Sequence, residues 1–240
     1  MGLLGYREMI ELGLGLLSIG RPWGVRQAPP PPEADALALL EAAVSLGIRF
    51  FDTAPAYGES EAILGRFLRT RGDAFVATKM GEWWDPASGA STVDHRLDPL
   101  KRSIDRSLER LGRIDLLQVH KATAGNLLSD DVARAVEYAR GLGIRSFGAS
   151  VPDMPAAVAA SRTGWCSWLQ FPFNSANTAL AGIFPFARAN GLRIIVNRPF
   201  AMGAIAAGAK AFAFVRKQAF DGVVLTGTQS VEHLRANHAA

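Results

Sequence analysis

The sequence predicts an α/β fold: one compact (β/α)8 TIM barrel over residues 1–240, with little or no C-terminal extension. Three observations carry this reading. Eight short apolar runs alternate with helical patterns along almost the whole chain. The repeat averages about 30 residues, the spacing of strand–helix units in a closed barrel. The first strand is followed by Ser18-Ile19-Gly20-Arg21-Pro22-Trp23-Gly24, which is not a GxGxxG run opening a helix, so an open doubly wound sheet fits poorly.

The elements follow in order. Strands are expected at Leu12–Leu16, Ile48–Asp52, Phe75–Thr78, Leu116–His120, Ile144–Gly148, Ser167–Phe171, Arg193–Asn197 and Val223–Thr226. Pro29–Pro32 form a stiff lead-in to the first helix, where Leu37, Leu40 and Val44 share a face and Gly47 stands at the C-terminal cap. Glu59–Leu68 groups Ile63, Leu64 and Phe67, and Asp98–Leu111 lines up Leu100, Ile104, Leu108 and Leu111. Further helices are expected at Ser129–Arg140, Met154–Ala160, Leu180–Asn190, Ala204–Gln218 and Ser230–Asn237. No linker or repeat divides the chain.

Composition excludes several classes of function. The 240 residues are 49% apolar and 20% charged, so the chain buries a core and is not disordered. The net charge of +4 is dispersed, and clusters such as Lys101-Arg102 are too short to read as nucleic-acid tails. A single cysteine, Cys166, rules out an internal disulfide or a cysteine-rich metal site, and its neighbours suit a small buried hydrophobe. No run of 18 apolar residues exists, and Glu8 interrupts the N-terminus before a signal-like core forms. The expectation is a soluble cytoplasmic protein with no nucleic-acid or membrane partner; oligomeric state leaves no signature.

In a barrel, chemistry gathers at the C-terminal ends of the strands. Asp52, Lys79 and His120 end successive strands, Ser150 follows the fifth, Gln170 lies near the end of the sixth, and Tyr57 lies five residues past Asp52. A lysine ammonium beside a tyrosine favours the phenolate, and an aspartate beside the lysine keeps it charged and fixed. A histidine on the next strand can hydrogen-bond a carbonyl oxygen, position it, or share proton transfer. The set therefore suits protonation of oxygen while another group attacks carbon. Alternatives exist for each residue: Asp52 as a turn cap, Lys79 as a solubilising strand end, His120 as a buried histidine, Tyr57 as loop packing. Four such coincidences at one face are less economical than one site. His95, His233 and His238 share no metal-ligand spacing with His120, so no metal is expected. Trp23, Trp83 and Trp84 are expected in loops, either lining a substrate cleft or covering the barrel mouth.

Phe51-Asp52-Thr53-Ala54-Pro55-Ala56-Tyr57-Gly58, continuing through Glu59-Ser60-Glu61 to Leu64-Gly65, closely resembles the opening signature of the aldo-keto reductases. Thr78-Lys79, Val119-His120, Gly148-Ala149-Ser150, Leu169-Gln170-Phe171, Arg198–Gly203 and Gly227-Thr228-Gln229-Ser230 resemble later family segments in order, from about Leu12 to Asn237. The resemblance implies a barrel that binds a nicotinamide cofactor, NADP or NAD with NADP slightly favoured, and a small carbonyl or alcohol substrate. It implies Tyr57 as proton donor, Lys79 and Asp52 as its tuning pair, and His120 orienting the carbonyl. Ser150 and Gln170 would hold the carboxamide, and Gly227, Thr228 and the final helix N-terminus the phosphate. Asn197, Arg198, Gln229 and His233 would complete the cofactor shell, with Asn237 at the adenine.

Several positions depart from the family pattern. Asn197 replaces a common stacking aromatic, Val151 a common asparagine, His233 an arginine often set against the 2′-phosphate, and Ala236 an acidic residue near adenine. A neutral histidine is a weaker phosphate partner than arginine. The short C-terminus implies an open pocket shaped by Trp23, Trp83, Trp84 and the Gln118–Gly125 loop. The expected function is an NAD(P)-dependent aldehyde or ketone reductase, or alcohol dehydrogenase. The alternative is a barrel using the same acid–base set for dehydration or isomerisation, or a non-catalytic binding subunit.

Overall fold

The computed structural model describes residues 10–25, 27–69, 71–206 and 208–240. Residues 1–9, on which the reading of the N-terminus rests, and Ala207, inside the segment read as the seventh helix, lie outside them. Eight parallel strands close into a barrel. They are β1 (Ile10–Gly15), β2 (Phe50–Asp52), β3 (Phe75–Met80), β4 (Leu116–Val119), β5 (Ser146–Ser150), β6 (Trp168–Pro172), β7 (Arg193–Asn197) and β8 (Gly222–Thr226). Sequence neighbours pair, and β1 closes on β8 from Ile10↔Gly222 to Leu14↔Thr226. Each strand leads to a helix: α1 (Glu33–Ser45), α2 (Ser60–Leu68), α3 (Leu97–Leu111), α4 (Asp130–Gly141), α5 (Met154–Arg162), α6 (Ile183–Ala189), α7 (Ala209–Arg216) and α8 (Val231–His238). The barrel fold read from the sequence is the fold observed.

The expected bounds shift where apolar residues serve a helix end instead of a strand. Ile48 and Ile144, read as strand starts, donate their backbone N–H back to Ala43 O (3.0 Å) and Ala139 O (3.1 Å). Each follows a left-handed glycine, Gly47 or Gly143, and so closes α1 or α4. At the other end of the chain, α7 starts only at Ala209, because Gly208 at φ +125° breaks the helical path expected from Ala204. An antiparallel hairpin, Glu82–Asp85 paired with Ala90–Val93, stands where the sequence was read as a loop carrying Trp83 and Trp84.

Alternation along the strands sorts the core into two layers. Phe51, Val76, Leu117, Phe147, Leu169 and Val224 pack with the helices, while Phe50, Ala77, Leu116, Trp168, Ile195, Val223 and Leu225 form the separate cluster inside the barrel. Each large apolar side chain so buried contributes about 1.5–3 kcal/mol. Phe50 stacks on Phe75 at 5.1 Å, and Arg193 lies 4.1 Å over Trp168 while pairing with Asp221 at 3.1 Å. Two residues further along the same strands, the residue types turn polar: Phe50 gives way to Asp52, Ala77 to Lys79, Leu116 to Gln118, Trp168 to Gln170 and Ile195 to Asn197. The period of two thus stacks a polar layer on an apolar plug, at the C-terminal mouth of the barrel.

Candidate active site

Tyr57 is placed by backbone contact before any side chain acts. It ends a short 3₁₀ turn, Pro55–Tyr57, held by Tyr57 N–H donating to Ala54 O at 2.9 Å. A methyl group on Gly20 would lie 1.8 Å from Tyr57 O, and one on Gly58, at φ +61°, 2.3 Å from Gly20 O. The loop after β1 therefore interlocks with the loop after β2 through two glycines that tolerate no side chain.

Beneath Tyr57 lies a buried ion pair. Lys79 Nζ donates to Asp52 Oδ2 at 2.7 Å and to Thr53 O at 3.0 Å, with both side chains at most 3% exposed. Gln118 Nε2 donates to the other aspartate oxygen, Oδ1, at 3.1 Å. Lys79 Nζ sits 4.8 Å from the Tyr57 ring centroid. Burial disfavours the ammonium, but Asp52 and Tyr57 together raise the Lys79 pKa above its ordinary value. For Tyr57 the outcome corrects the sequence reading. Burial outweighs the pull of Lys79, and the hydroxyl is pushed above its ordinary value. Tyr57 is thus kept protonated, as a proton donor must be, with Lys79 limiting how far it rises.

His120 completes the group. Its ring stands edge-on to Tyr57, with centroids 5.9 Å apart and planes at 83°. Its Nδ1 lies 2.9 Å from Glu82 Oε2, close but bent away from ideal hydrogen-bond alignment. Lys121 Nζ approaches the other Glu82 oxygen at 3.9 Å. Burial lowers the His120 pKa, opposed by Glu82, so the ring is neutral near pH 7. Burial works against the Glu82 carboxylate, yet His120 and Lys121 hold its pKa below the ordinary value. Glu82 and Gln118 are the two residues of this centre that the sequence reading did not assign a role. Gln118 was findable, since it alternates with His120 on one strand. Glu82 was not, because only the hairpin turns it back onto β4.

The cofactor candidates divide into three kinds. Gln170 is fully buried, and neither atom of its side-chain amide has a partner among the described residues; Asn197 Oδ1 is likewise orphaned. Buried amides are rarely left unsatisfied, and Gln170 beside Ser150, its register partner, fits a primary carboxamide such as that of nicotinamide. Arg198 leaves β7 in the left-handed region at φ +54°, its carbonyl held by Asn174 Nδ2 at 2.8 Å. Thr228 and Ser230 shape the start of α8: Ser230 N–H donates to Thr228 Oγ1 at 3.1 Å, and His233 N–H to Ser230 Oγ at 3.3 Å. Gly227 precedes them, and His233 is exposed on the first turn of α8. Gln229 is a latch, its Nε2 donating to Ser18 O (2.8 Å) and Pro29 O (2.9 Å). Asn237 is buried and donates to Thr226 Oγ1 at 2.9 Å, tying α8 to β8.

The tryptophans also separate. Trp83 and Trp84 are adjacent on a strand and so point to opposite faces of the hairpin. Trp84 and Trp23 share the Arg21 guanidinium, at 4.2 Å and 5.7 Å from their ring centroids. Trp83 has no part in that cluster. Cys166 is half-buried rather than fully buried, and its largely apolar surroundings push its thiol up to about 12. Among the described residues no helix is long and apolar enough to cross a membrane.

Comparison with known proteins agrees with this geometry. A structure described as a putative aldo-keto reductase from Pseudomonas aeruginosa superposes with a TM-score of 0.82 at 29% identity, covering 95% of this chain and 87% of that one. L-galactose dehydrogenase of Arabidopsis thaliana is 28% identical over 217 residues, 82% of this chain and 63% of that protein. An aldo-keto reductase of Schizosaccharomyces pombe, named with NADP(+), is 30% identical over 125 residues, 49% of this chain and 35% of that protein. The chain spans less than two thirds of the length of either. The family model described as "Aldo/keto reductase family" matches residues 11–211. With the interlocked Tyr57 and the Asp52–Lys79–His120 cluster at the barrel mouth, this chain belongs to the aldo/keto reductase family.

Proposed function

We propose that this chain is an NAD(P)-dependent oxidoreductase that interconverts a small carbonyl compound and its alcohol, with Tyr57 as the proton donor. The observation that carries the reading is the buried Lys79, fixed between Asp52 and Thr53 O directly under the Tyr57 ring. The nicotinamide, when bound, supplies hydride exchange at the carbonyl carbon. The orphaned Gln170 amide with Ser150 would hold its carboxamide, and Arg198 with the Gly227–Ser230 turn its phosphates. The NADP(+) in the yeast relative's name favours NADP for this chain.

Tyr57 releases its proton to the substrate oxygen, and Lys79 stabilises the phenolate left behind. Asp52 and Gln118 hold the ammonium in place through that change. A bare lone pair on His120 Nδ1 would face the Glu82 carboxylate, so Nδ1 carries the hydrogen and Nε2 of the neutral ring is an acceptor. Nε2 accepts a hydrogen bond from the alcohol hydroxyl, while the proton transferred in the reaction passes only between that oxygen and Tyr57. Dehydration or isomerisation without a nicotinamide is less well supported, because it leaves the Gln170 amide without a purpose.

The test is binding followed by turnover. Titrating the protein into NADPH or NADH should enhance or quench cofactor fluorescence, and no response up to millimolar concentration would reject the reading. Tyr57→Phe should lower kcat at least a hundredfold, within the usual range of about 10²–10⁴ for loss of a general acid, while sparing cofactor binding.

A further inference from the structure

We propose that Arg21, clamped against Trp84 at the barrel mouth, is an anion-binding residue of the substrate site and selects carbonyl compounds that carry a carboxylate. The inference rests on the reductase reading only for the carbonyl end of the substrate; the anion end rests on Arg21 itself.

Position comes first. Arg21 follows Gly20, whose carbonyl accepts from Glu59 N–H at 3.1 Å and abuts Gly58. Its backbone therefore leaves from the shoulder of the Tyr57 turn. Its side chain reaches toward the hairpin that follows Lys79 on β3, and its Cζ lies 4.2 Å over the Trp84 ring. Of the cofactor candidates, Gln170, Asn197 and Arg198 end β6 and β7, while Thr228 follows β8, the strand paired with β1, and its carbonyl accepts from Ser18 Oγ at 3.3 Å. Arg198 marks the border, lying 5.5 Å from the outer tryptophan, Trp23, which Arg21 approaches at 5.7 Å.

Charge comes second. Two cations of the centre have an acid: Lys79 pairs with Asp52, and Lys121 faces Glu82. Among the described residues Arg21 makes no salt bridge, and its Nε is buried with no hydrogen-bond partner. Burial lowers its pKa, while Glu82 and Tyr57 are near enough to push the other way. A guanidinium stays charged throughout, so this is a half-buried cation that no salt bridge neutralises among the described residues.

Chemistry comes third. A guanidinium stacked on indole is held flat, with its N–H donors in the ring plane and turned away from the aromatic face. That plane matches a carboxylate, which it grips through two parallel hydrogen bonds. With Tyr57 at the carbonyl and Arg21 at the carboxylate, a bifunctional substrate is held at both ends, so its reacting carbon has one orientation.

The experiment compares 4-carboxybenzaldehyde with its neutral isostere methyl 4-formylbenzoate in the cofactor-loaded enzyme, alongside terephthalate titrations followed by tryptophan fluorescence. The native chain should prefer the acid in kcat/KM. Arg21→Gln should lower the acid-to-ester ratio about tenfold to a hundredfold, the usual worth of a charge-assisted contact. Arg21→Lys, which keeps the charge without the planar fork, should fall between. Saturable quenching by terephthalate should be present in the native chain and lost in Arg21→Gln. A ratio and a titration that Arg21→Gln leaves within twofold of the native values would overturn the proposal. So would an equal loss on both aldehydes with weaker cofactor binding, which would assign Arg21 to the cofactor pyrophosphate. Arg21-dependent terephthalate binding with neither aldehyde turned over would uphold the anion site and reject the reductase reading instead.

Discussion

Glu82 Oε2 stands 2.9 Å from His120 Nδ1, a contact that brings a carboxylate against the ring at the barrel mouth. The two residues come from different elements, Glu82 from the hairpin beyond β3 and His120 from the turn just after β4. His95 supports the arrangement from outside, its Nε2 2.7 Å from His120 O and its Nδ1 3.2 Å from Asn126 Nδ2. In the proposed reaction Nδ1 carries the ring hydrogen, and Nε2 is left to accept from an alcohol.

Glu82→Gln should reverse that preference. The amide can donate to Nδ1, moving the ring hydrogen to Nε2, where it meets a carbonyl oxygen. KM for the alcohol should rise and KM for the carbonyl fall, each by about fivefold to tenfold, in line with one charge-assisted hydrogen bond gained or lost. Steady-state kinetics in both directions check this. A uniform loss of kcat with unchanged KM values would show that Glu82 only supports the fold.

Stability should fall as the solution becomes more acidic than pH 6.5, the ordinary histidine value from which burial lowers His120. The unfolded chain takes up the His120 proton there and the folded chain does not. The contribution is therefore complete above pH 6.5 and lost as pH descends toward the lowered folded value. Glu82 acts later and in the same sense, its folded value being held below the ordinary 4.5. Urea midpoints measured from pH 8 to pH 5 should show the decline, and His120→Asn should flatten it.

Lys79→Met should destabilise the fold by about 3–5 kcal/mol, because it strands the Asp52 carboxylate in a buried site. Asp52→Asn combined with Lys79→Met removes that charge and should recover most of the loss. Both variants should be inactive. Denaturant unfolding distinguishes them, and equal stabilities for the single and double variants would contradict the coupling.

Gly58→Ala should cost about 1–3 kcal/mol and lower activity together. The methyl group meets Gly20 O at 2.3 Å, at a left-handed φ that alanine adopts poorly. Relief requires the loop after β1 to withdraw, taking the Tyr57 turn out of register. Thermal unfolding and kcat read the two effects, and a variant with native activity would show that the interlock does not position Tyr57.

Most of the fold was written in the order of residue types. Phe50-Phe51-Asp52 and Phe75 to Lys79 state the barrel rule directly: alternate residues face inward, and the inward set turns polar only at the C-terminal end. The same rule named Asp52, Lys79, His120 and Gln170 without any coordinates, since each position is a local consequence of strand geometry. The helix ends were less legible, because Ile48 and Ile144 look like strand residues until a left-handed glycine turns them back onto a helix.

Other relationships had to wait for the tertiary structure. The sequence alone determined the barrel, the polar strand ends and the family. Only the folded chain decided that burial outweighs Lys79 at Tyr57, that Asn237 points inward, that Glu82 stands against His120 Nδ1, and that Arg21 lies on Trp84 with no salt bridge among the described residues. The physical reason is common to all four. Desolvation and pairing depend on which groups from distant elements share a space, and a hairpin or a pair of touching glycines sets that sharing without leaving a periodic trace in the chain.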